Sequence, residues 1–181
     1  MANQIVDKII NKIWRITETD PSILIYAILD AARDQEIYHK LRESGIRDCV
    51  SLFRGAKARE LALVAPYLVC MPRDHDYTKW VVKGGWGNSW GIFLESSADL
   101  RTLENHFQQI IMVRNEDNDL LYFRFYDPRV LRNYLPTCNA AEREDFFGPV
   151  TTIYMEGPEP EKMTQYSLAP GKLVSGDVEI K

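Results

Sequence analysis

The segment Gly87-Asn88-Ser89-Trp90-Gly91 has the G-x-S-x-G spacing of a serine nucleophile elbow. In that motif a strand enters the serine and a helix leaves it, so that the hydroxyl is presented at a strained turn. Here a strand is predicted after Ser89, over residues 90–95. The next histidine, His106, follows Asp99 on a predicted helix, too closely for the usual order of triad partners. The order of elements argues against a serine hydrolase.

The same segment contains Asn88-Ser89-Trp90-Gly91, which is similar to the box in which papain-like proteases place the asparagine that orients the catalytic histidine. A thiol hydrolase would then use Cys49 or Cys70 as the nucleophile and His75 as the base. Neither cysteine has the C-G-S-C-W surroundings of such a nucleophile. Cys70 also lies in an apolar run, which is typical of a buried, unreactive thiol. We keep this thiol hydrolase as the alternative function.

Neither the histidines nor the glycines form a recognisable ligand-binding motif. His39, His75 and His106 are too far apart, from each other and from the cysteines, for metal-ligand spacing. The loop Gly84-Gly85-Trp86-Gly87 lacks the Lys-Ser/Thr pair and the helix start of a phosphate-binding loop. We therefore expect no catalytic residue, no metal site and no cofactor.

Three tryptophans, Trp80, Trp86 and Trp90, lie within eleven residues of one another. Large indoles at this density form either a local core or an anchor at a protein interface. The sequence favours the core, because most large apolar side chains pack within their own domain. We nevertheless name Trp86 and Trp90 as candidate partner-binding residues.

Asp127-Pro128 predicts a helix N-terminus, with Arg129 and Arg132 three residues apart on one helical face. One interpretation is structural: Asp127 caps the helix, and an arginine ties the loop to an acidic neighbour or a carbonyl. The other is a partner surface that binds carboxylates through bidentate contacts. The structural role is favoured for Asp127, and both roles stay open for the arginines. All three join the candidate partner-binding residues.

The composition limits the classes of function. The chain has 181 residues, a formal net charge of −4 and a sequence pI near 5.4. These values predict one domain without the basic surface of a nucleic-acid-binding protein. No stretch approaches the ~18 apolar residues of a membrane span, so no membrane partner is expected. Three widely spaced cysteines fit a reducing compartment, and we predict a cytoplasmic protein.

Alternating strand and helix patterns predict an α/β domain, with a mixed β-sheet flanked by helices. Apolar pairs every four residues predict an amphipathic helix over residues 4–16. The apolar run at 22–29 predicts a central strand buried on both faces, for which parallel neighbours are expected. Ser96 is expected to cap the helix that follows it, and residues 110–114 to form a hairpin with 120–126.

Three segments are expected along the chain. Residues 1–20 form the amphipathic helix packed on the body, and residues 21–155 form the α/β domain. Prolines, glycines and an excess of acidic residues mark 156–181, which predicts an extended C-terminal tail on a single compact domain.

Several of these segments occur together in an order that resembles one known family. The most specific are Ala65-Pro66-Tyr67-Leu68-Val69 and Phe123-Arg124-Phe125-Tyr126-Asp127-Pro128-Arg129-Val130-Leu131-Arg132; the others lie at 26–32, 52–55, 60–64, 86–93 and 146–149. Over roughly residues 23–155 the sequence resembles the DUF4123 family of bacterial type VI secretion adaptor chaperones. The family's His-Leu-Arg segment corresponds to Asn105-His106-Phe107-Gln108, which keeps the histidine and lacks the arginine.

The resemblance implies a non-enzymatic protein of the Gram-negative cytoplasm. It would bind a toxic effector and help to load it onto the VgrG tip of the secretion spike, without a cofactor, nucleic acid or membrane. Many relatives carry a further helical lobe, whereas only a short tail is expected here after the region of resemblance. Effector contacts made by such a lobe therefore cannot be transferred to this chain. A third hypothesis is a protein-interaction module with no role in secretion. The identity of the neighbouring genes would distinguish it from a secretion adaptor.

Overall fold

The computed structural model describes residues 2–114, 118–159, 161–169 and 172–180. The helices are Ala2–Ile13 (α1), Arg15–Thr19 (α2), Glu36–Glu43 (α3), Gly55–Glu60 (α4), Asp76–Gly85 (α5), Leu100–Ile110 (α6), Pro128–Tyr134 (α7) and Ala140–Phe147 (α8). The strands are Leu24–Asp30 (β1), Cys49–Ser51 (β2), Pro66–Cys70 (β3), Gly91–Ser96 (β4), Met112–Arg114 (β5), Leu120–Tyr122 (β6), Thr152–Glu156 (β7), Lys162–Ala169 (β8) and Lys172–Glu179 (β9).

Seven of the described strands form one sheet in the order β2-β3-β1-β4-β7-β8-β9, and β5 pairs with β6 in a separate hairpin. The α/β class, the single compact domain and the hairpin are confirmed. Every pairing between described strands is antiparallel. The parallel neighbours expected for β1, and with them a mixed sheet, are therefore not found.

Strand β1 lies inside the sheet and is covered on both faces, as its continuous apolar run predicts. Ile25, Ala27 and Leu29 pack into one core cluster. Tyr26 and Ile28 pack into the other, on the opposite face. Because side chains alternate along a strand, one apolar run supplies both cores. The apolar run predicts that β1 is buried, but burial does not determine the direction of the neighbouring strands.

Helices cover the two faces of the sheet. Apolar residues of α1, α3 and α5 belong to the first cluster, and those of α6, α7 and α8 belong to the second. The predicted first helix is confirmed: Ile9 and Ile13 are buried, and the Trp14 indole at its end donates a hydrogen bond to Met71 O at 3.1 Å. In the described part of the chain, no helix has the length and apolarity needed to cross a bilayer.

The C-terminal segment forms strands where the sequence predicts an extended tail. Strand β8 pairs with β7, and β9 pairs with β8. Met163 enters the first core cluster and Tyr166 the second. The prolines and glycines of 156–161 precede β8 instead of interrupting it, and the next pair, 170–171, lies outside the described residues.

Of the two helix caps predicted at Asp127 and Ser96, one is confirmed and one is wrong. Asp127 caps α7 as expected, since its side chain accepts from Arg129 N–H. The cap of α6 is Asp99, which accepts from Thr102 N–H, and not Ser96. The Ser96 hydroxyl donates instead to Pro149 O at 2.7 Å, which ties the end of β4 to the loop before β7.

His106 joins α6 to the end of α8, because its Nε2 lies 2.9 Å from Phe146 O. A carbonyl only accepts, so Nε2 carries the proton in this contact. Burial lowers the pKa of His106 from 6.5, against the opposing effect of the hydrogen bond to Phe146 O. The folded state therefore favours the neutral imidazole.

A lowered histidine pKa makes the protein less stable in mild acid. The unfolded chain binds a proton at His106 near pH 6.5 before the folded chain does, so stability is full above that pH and falls as pH drops through it. We expect His106→Gln to show a smaller loss of urea midpoint between pH 7 and pH 5.5 than the parent. His39→Gln, at an exposed position, should keep the parental loss. Equal losses in the parent and in His106→Gln would contradict this assignment.

Candidate functional site

A cleft of about 330 Å³ lies where the turn after β1, the α5–β4 loop, α7 and the end of β7 meet. Its lining includes Arg33, Arg129, Arg132 and Glu156, together with the loop residues 87–89. The fold therefore brings the G-x-S-x-G segment and the Asp-Pro-Arg segment to one place, although about forty residues separate them in the sequence.

Glu156, the last residue of β7, holds the loop in place. Its Oε2 accepts from Gly87 N–H at 2.6 Å and from Ser89 N–H at 3.1 Å, and its Oε1 accepts from the Ser89 hydroxyl at 2.8 Å. Gly87 has φ +85° and Ser89 has φ +54°. Left-handed conformations are costly for a serine, and these three hydrogen bonds stabilise the one found here.

Glu156 also positions α7. Its backbone carbonyl accepts from Arg132 Nη1 at 2.7 Å, so one residue fixes both the loop and an arginine of the neighbouring helix. Glu156 was not among the predicted residues, because it stands at the start of the segment predicted to be a tail. The one available signal was its position directly after a predicted strand, where polar side chains of a site often lie.

Asp127 and Arg129 form a bidentate pair on α7. Arg129 Nε lies 3.0 Å from Asp127 Oδ1, and Nη2 lies 2.6 Å from Oδ2. Burial alone would raise the pKa of Asp127, but hydrogen bonds and charge from Arg129, with the charge of Arg33, hold that pKa below its usual value. Asp127 is 3% exposed, whereas over half of the Arg129 side chain is exposed. The structural role predicted for Asp127 is thus what its contacts show.

A second acid–arginine pair involves Asp30, three residues before Arg33 in the sequence. Asp30, at the end of β1, is buried and pairs with the half-exposed Arg124. Arg33 itself is exposed, and its Nη2 lies 3.4 Å from Asn88 O, a long hydrogen bond. Arg33 was not among the predicted residues, because an isolated arginine in a turn carries no motif.

The two candidate tryptophans, Trp86 and Trp90, flank the 87–89 loop and pack on the first core cluster. Trp90 is 9% exposed, and its ring centroid is 4.9 Å from that of Trp80. A Cβ on Gly84 or Gly85 would come within about 3 Å of the Trp90 indole, which explains two glycines inside α5. Trp86 is partly buried and packs on the same core cluster. For Trp90 these contacts support the core interpretation over the partner anchor.

The residues of the thiol alternative have separate local partners. Cys49 Sγ lies 3.5 Å from Ile46 O, and His75 Nδ1 accepts from Tyr77 N–H as the cap of α5. Asn88 Nδ2 donates to Gly84 O. Burial raises the pKa of both the Cys49 and the Cys70 thiols, which opposes formation of a thiolate nucleophile. No described hydrogen bond joins either thiol to His75.

The residues of the serine alternative also have separate partners. The Ser89 hydroxyl donates to Glu156, and His106 bonds to Phe146 O on another part of the molecule. Across the described residues, no group of three or more His, Cys, Asp or Glu side chains is placed to hold a metal ion. The chemistry available in the cleft is therefore that of three guanidinium groups beside a loop held by a carboxylate.

Comparison with known proteins places the chain in a family. Residues 25–145, about two thirds of the sequence, match the family described as "Domain of unknown function (DUF4123)". No curated protein and no solved structure matches. The match includes the turn after β1, the 87–89 loop and α7, and so three of the four elements that form the cleft. Since the match covers more than half of the sequence, it confirms the predicted family, and the chain belongs to the DUF4123 family.

Proposed function

We propose that this protein is a non-enzymatic adaptor chaperone of a type VI secretion system. In the cytoplasm of a Gram-negative bacterium it binds a toxic effector and helps to load it onto the VgrG spike tip. The observation that carries the proposal is the DUF4123 match over residues 25–145, since the resemblance to adaptor chaperones lies in those same segments.

The described side chains favour binding over catalysis. The Ser89 hydroxyl donates to Glu156, and burial raises the pKa values of the Cys49 and Cys70 thiols, which opposes formation of a thiolate nucleophile. Arg129 and Arg132 each donate side-chain hydrogen bonds to the protein and also line the cleft, and over half of the Arg129 side chain is exposed. Such positioned, partly exposed guanidinium groups are common at protein interfaces.

Co-purification tests the proposal directly. The full chain is co-expressed with the effector and VgrG proteins encoded beside its gene, and each is tagged in turn. We expect the chain to co-purify with both partners, and not with a VgrG protein from an unrelated locus. A folded chain that associates with neither neighbouring product would rule out the adaptor function.

A further inference from the structure

The cleft carries a local charge opposite to that of the whole chain. The protein has a formal net charge of −4. Yet Arg33, Arg129 and Arg132 all line one cleft, and among the described lining residues Glu156 is the one acidic side chain. Two buried carboxylates, Glu156 and Asp127, offset two of these charges, and the positive charge that remains on this surface attracts anions.

The carboxylates in the wall of the cleft, Glu156 and Asp127, accept hydrogen bonds from the protein's own donors. Glu156 accepts three hydrogen bonds from the loop, two from backbone N–H groups and one from the Ser89 hydroxyl. Asp127 accepts from the backbone and side chain of Arg129. These carboxylates fix the shape of the cleft and leave most arginine donors unused.

The unused donors can be counted for each arginine. A guanidinium carries five N–H donors. Among the described residues, Arg33 makes one side-chain hydrogen bond, at 3.4 Å, and Arg132 makes one, to Glu156 O. Arg129 uses Nε and Nη2 on Asp127. Because Arg129 and Arg132 are already held in place, a ligand that binds them loses less side-chain entropy than one that must order free arginines.

We propose that this cleft binds the carboxylate groups of an acidic segment in the adaptor's protein partner. The inference rests on the proposed function and names the chemistry of its partner. Planar guanidinium forks match carboxylates in a bidentate manner, and Asp127–Arg129 shows that geometry within this chain. A nucleic acid is disfavoured, because a long polyanion would also meet the acidic remainder of the surface.

A short fluorescein-labelled peptide of alternating Glu and Ser tests the chemistry, with a Gln/Ser peptide as the neutral control. Anisotropy at low salt should show that the full chain binds the Glu/Ser peptide, and that added sodium chloride weakens this binding. We expect Arg33→Gln to weaken it about tenfold, the loss typical of charge-assisted hydrogen bonds. Arg33→Lys should recover part of the affinity, since lysine keeps the charge without the fork.

Arg59→Gln is the matched control. Arg59 is exposed on α4, and its replacement changes the net charge equally without touching the cleft. Arg33 is exposed and makes one long side-chain hydrogen bond, so both variants should melt like the parent. Equal peptide affinity in the two variants would overturn the site. Displacement by inorganic phosphate, beyond that by sodium chloride of equal ionic strength, would overturn the preference for carboxylates.

The co-purification experiment separates this inference from the proposed function. If the parent and Arg33→Gln capture the effector or VgrG equally well, the cleft is not the binding site, and the adaptor function stands. If the parent captures neither protein but binds the Glu/Ser peptide, the carboxylate chemistry stands and the secretion role fails.

Discussion

Trp90→Ala is expected to lower the free energy of unfolding by about 3–5 kcal/mol, the range for removing a large buried aromatic side chain. Trp90 is 9% exposed and packs against Trp80 and the two glycines of α5. Because those glycines have no side chains, they cannot fill the space that the indole leaves. The loss is measured as a shift in the urea unfolding curve.

Two comparisons decide between core and partner roles for Trp90. Leu63→Ala, at an exposed apolar position, should change stability by no more than about 0.5 kcal/mol. Trp90→Phe keeps part of the buried area and should lose less stability than Trp90→Ala. If Trp90→Ala unfolds like the parent yet no longer co-purifies with the effector or VgrG, the partner-anchor interpretation would replace the core interpretation.

Glu156→Ala is expected to cost about 2–4 kcal/mol, because two backbone N–H groups and one hydroxyl lose their acceptor together. The loop also loses the contacts that stabilise the positive φ of Ser89. Hydrogen exchange should therefore be faster at the amides of Gly87 and Ser89 than in the parent. Chemical denaturation and amide exchange measure the two effects separately.

Glu156→Gln should lose less stability than Glu156→Ala, since its amide oxygen still accepts and its NH₂ group can donate to Ser89. Glu159→Ala is the control. Glu159 is mostly exposed and pairs with Lys162 on the surface, a contact worth about 0–1 kcal/mol. Parental exchange rates at Gly87 and Ser89 in Glu156→Ala would show that the carboxylate does not hold the loop.

Local patterns predicted most of the elements and little of their arrangement. The four-residue apolar spacing predicted α1, and Asp127-Pro128 predicted the cap of α7, because both depend on contacts within a few residues. The apolar run of β1 predicted burial on both faces correctly. It did not predict antiparallel neighbours, because strand direction depends on how the connections cross the sheet.

The C-terminal segment shows a second limit. Prolines and glycines suggested that no regular structure follows residue 156, yet β8 and β9 extend the sheet there. Strand β8 has no regular alternation of apolar and polar residues: Met163 and Tyr166 pack on opposite faces, Thr164 is buried, and the remaining positions are half exposed. A strand that gains much of its stability from an existing neighbour does not need a strong pattern of its own.

The sequence alone predicted the α/β class, the family and three of the residues that line or support the cleft: Asp127, Arg129 and Arg132. Tertiary structure alone added Arg33 and Glu156. The physical reason is distance along the chain. Glu156 meets Gly87 and Ser89 across 69 and 67 residues, whereas periodicity and capping rules describe only contacts between near neighbours in sequence.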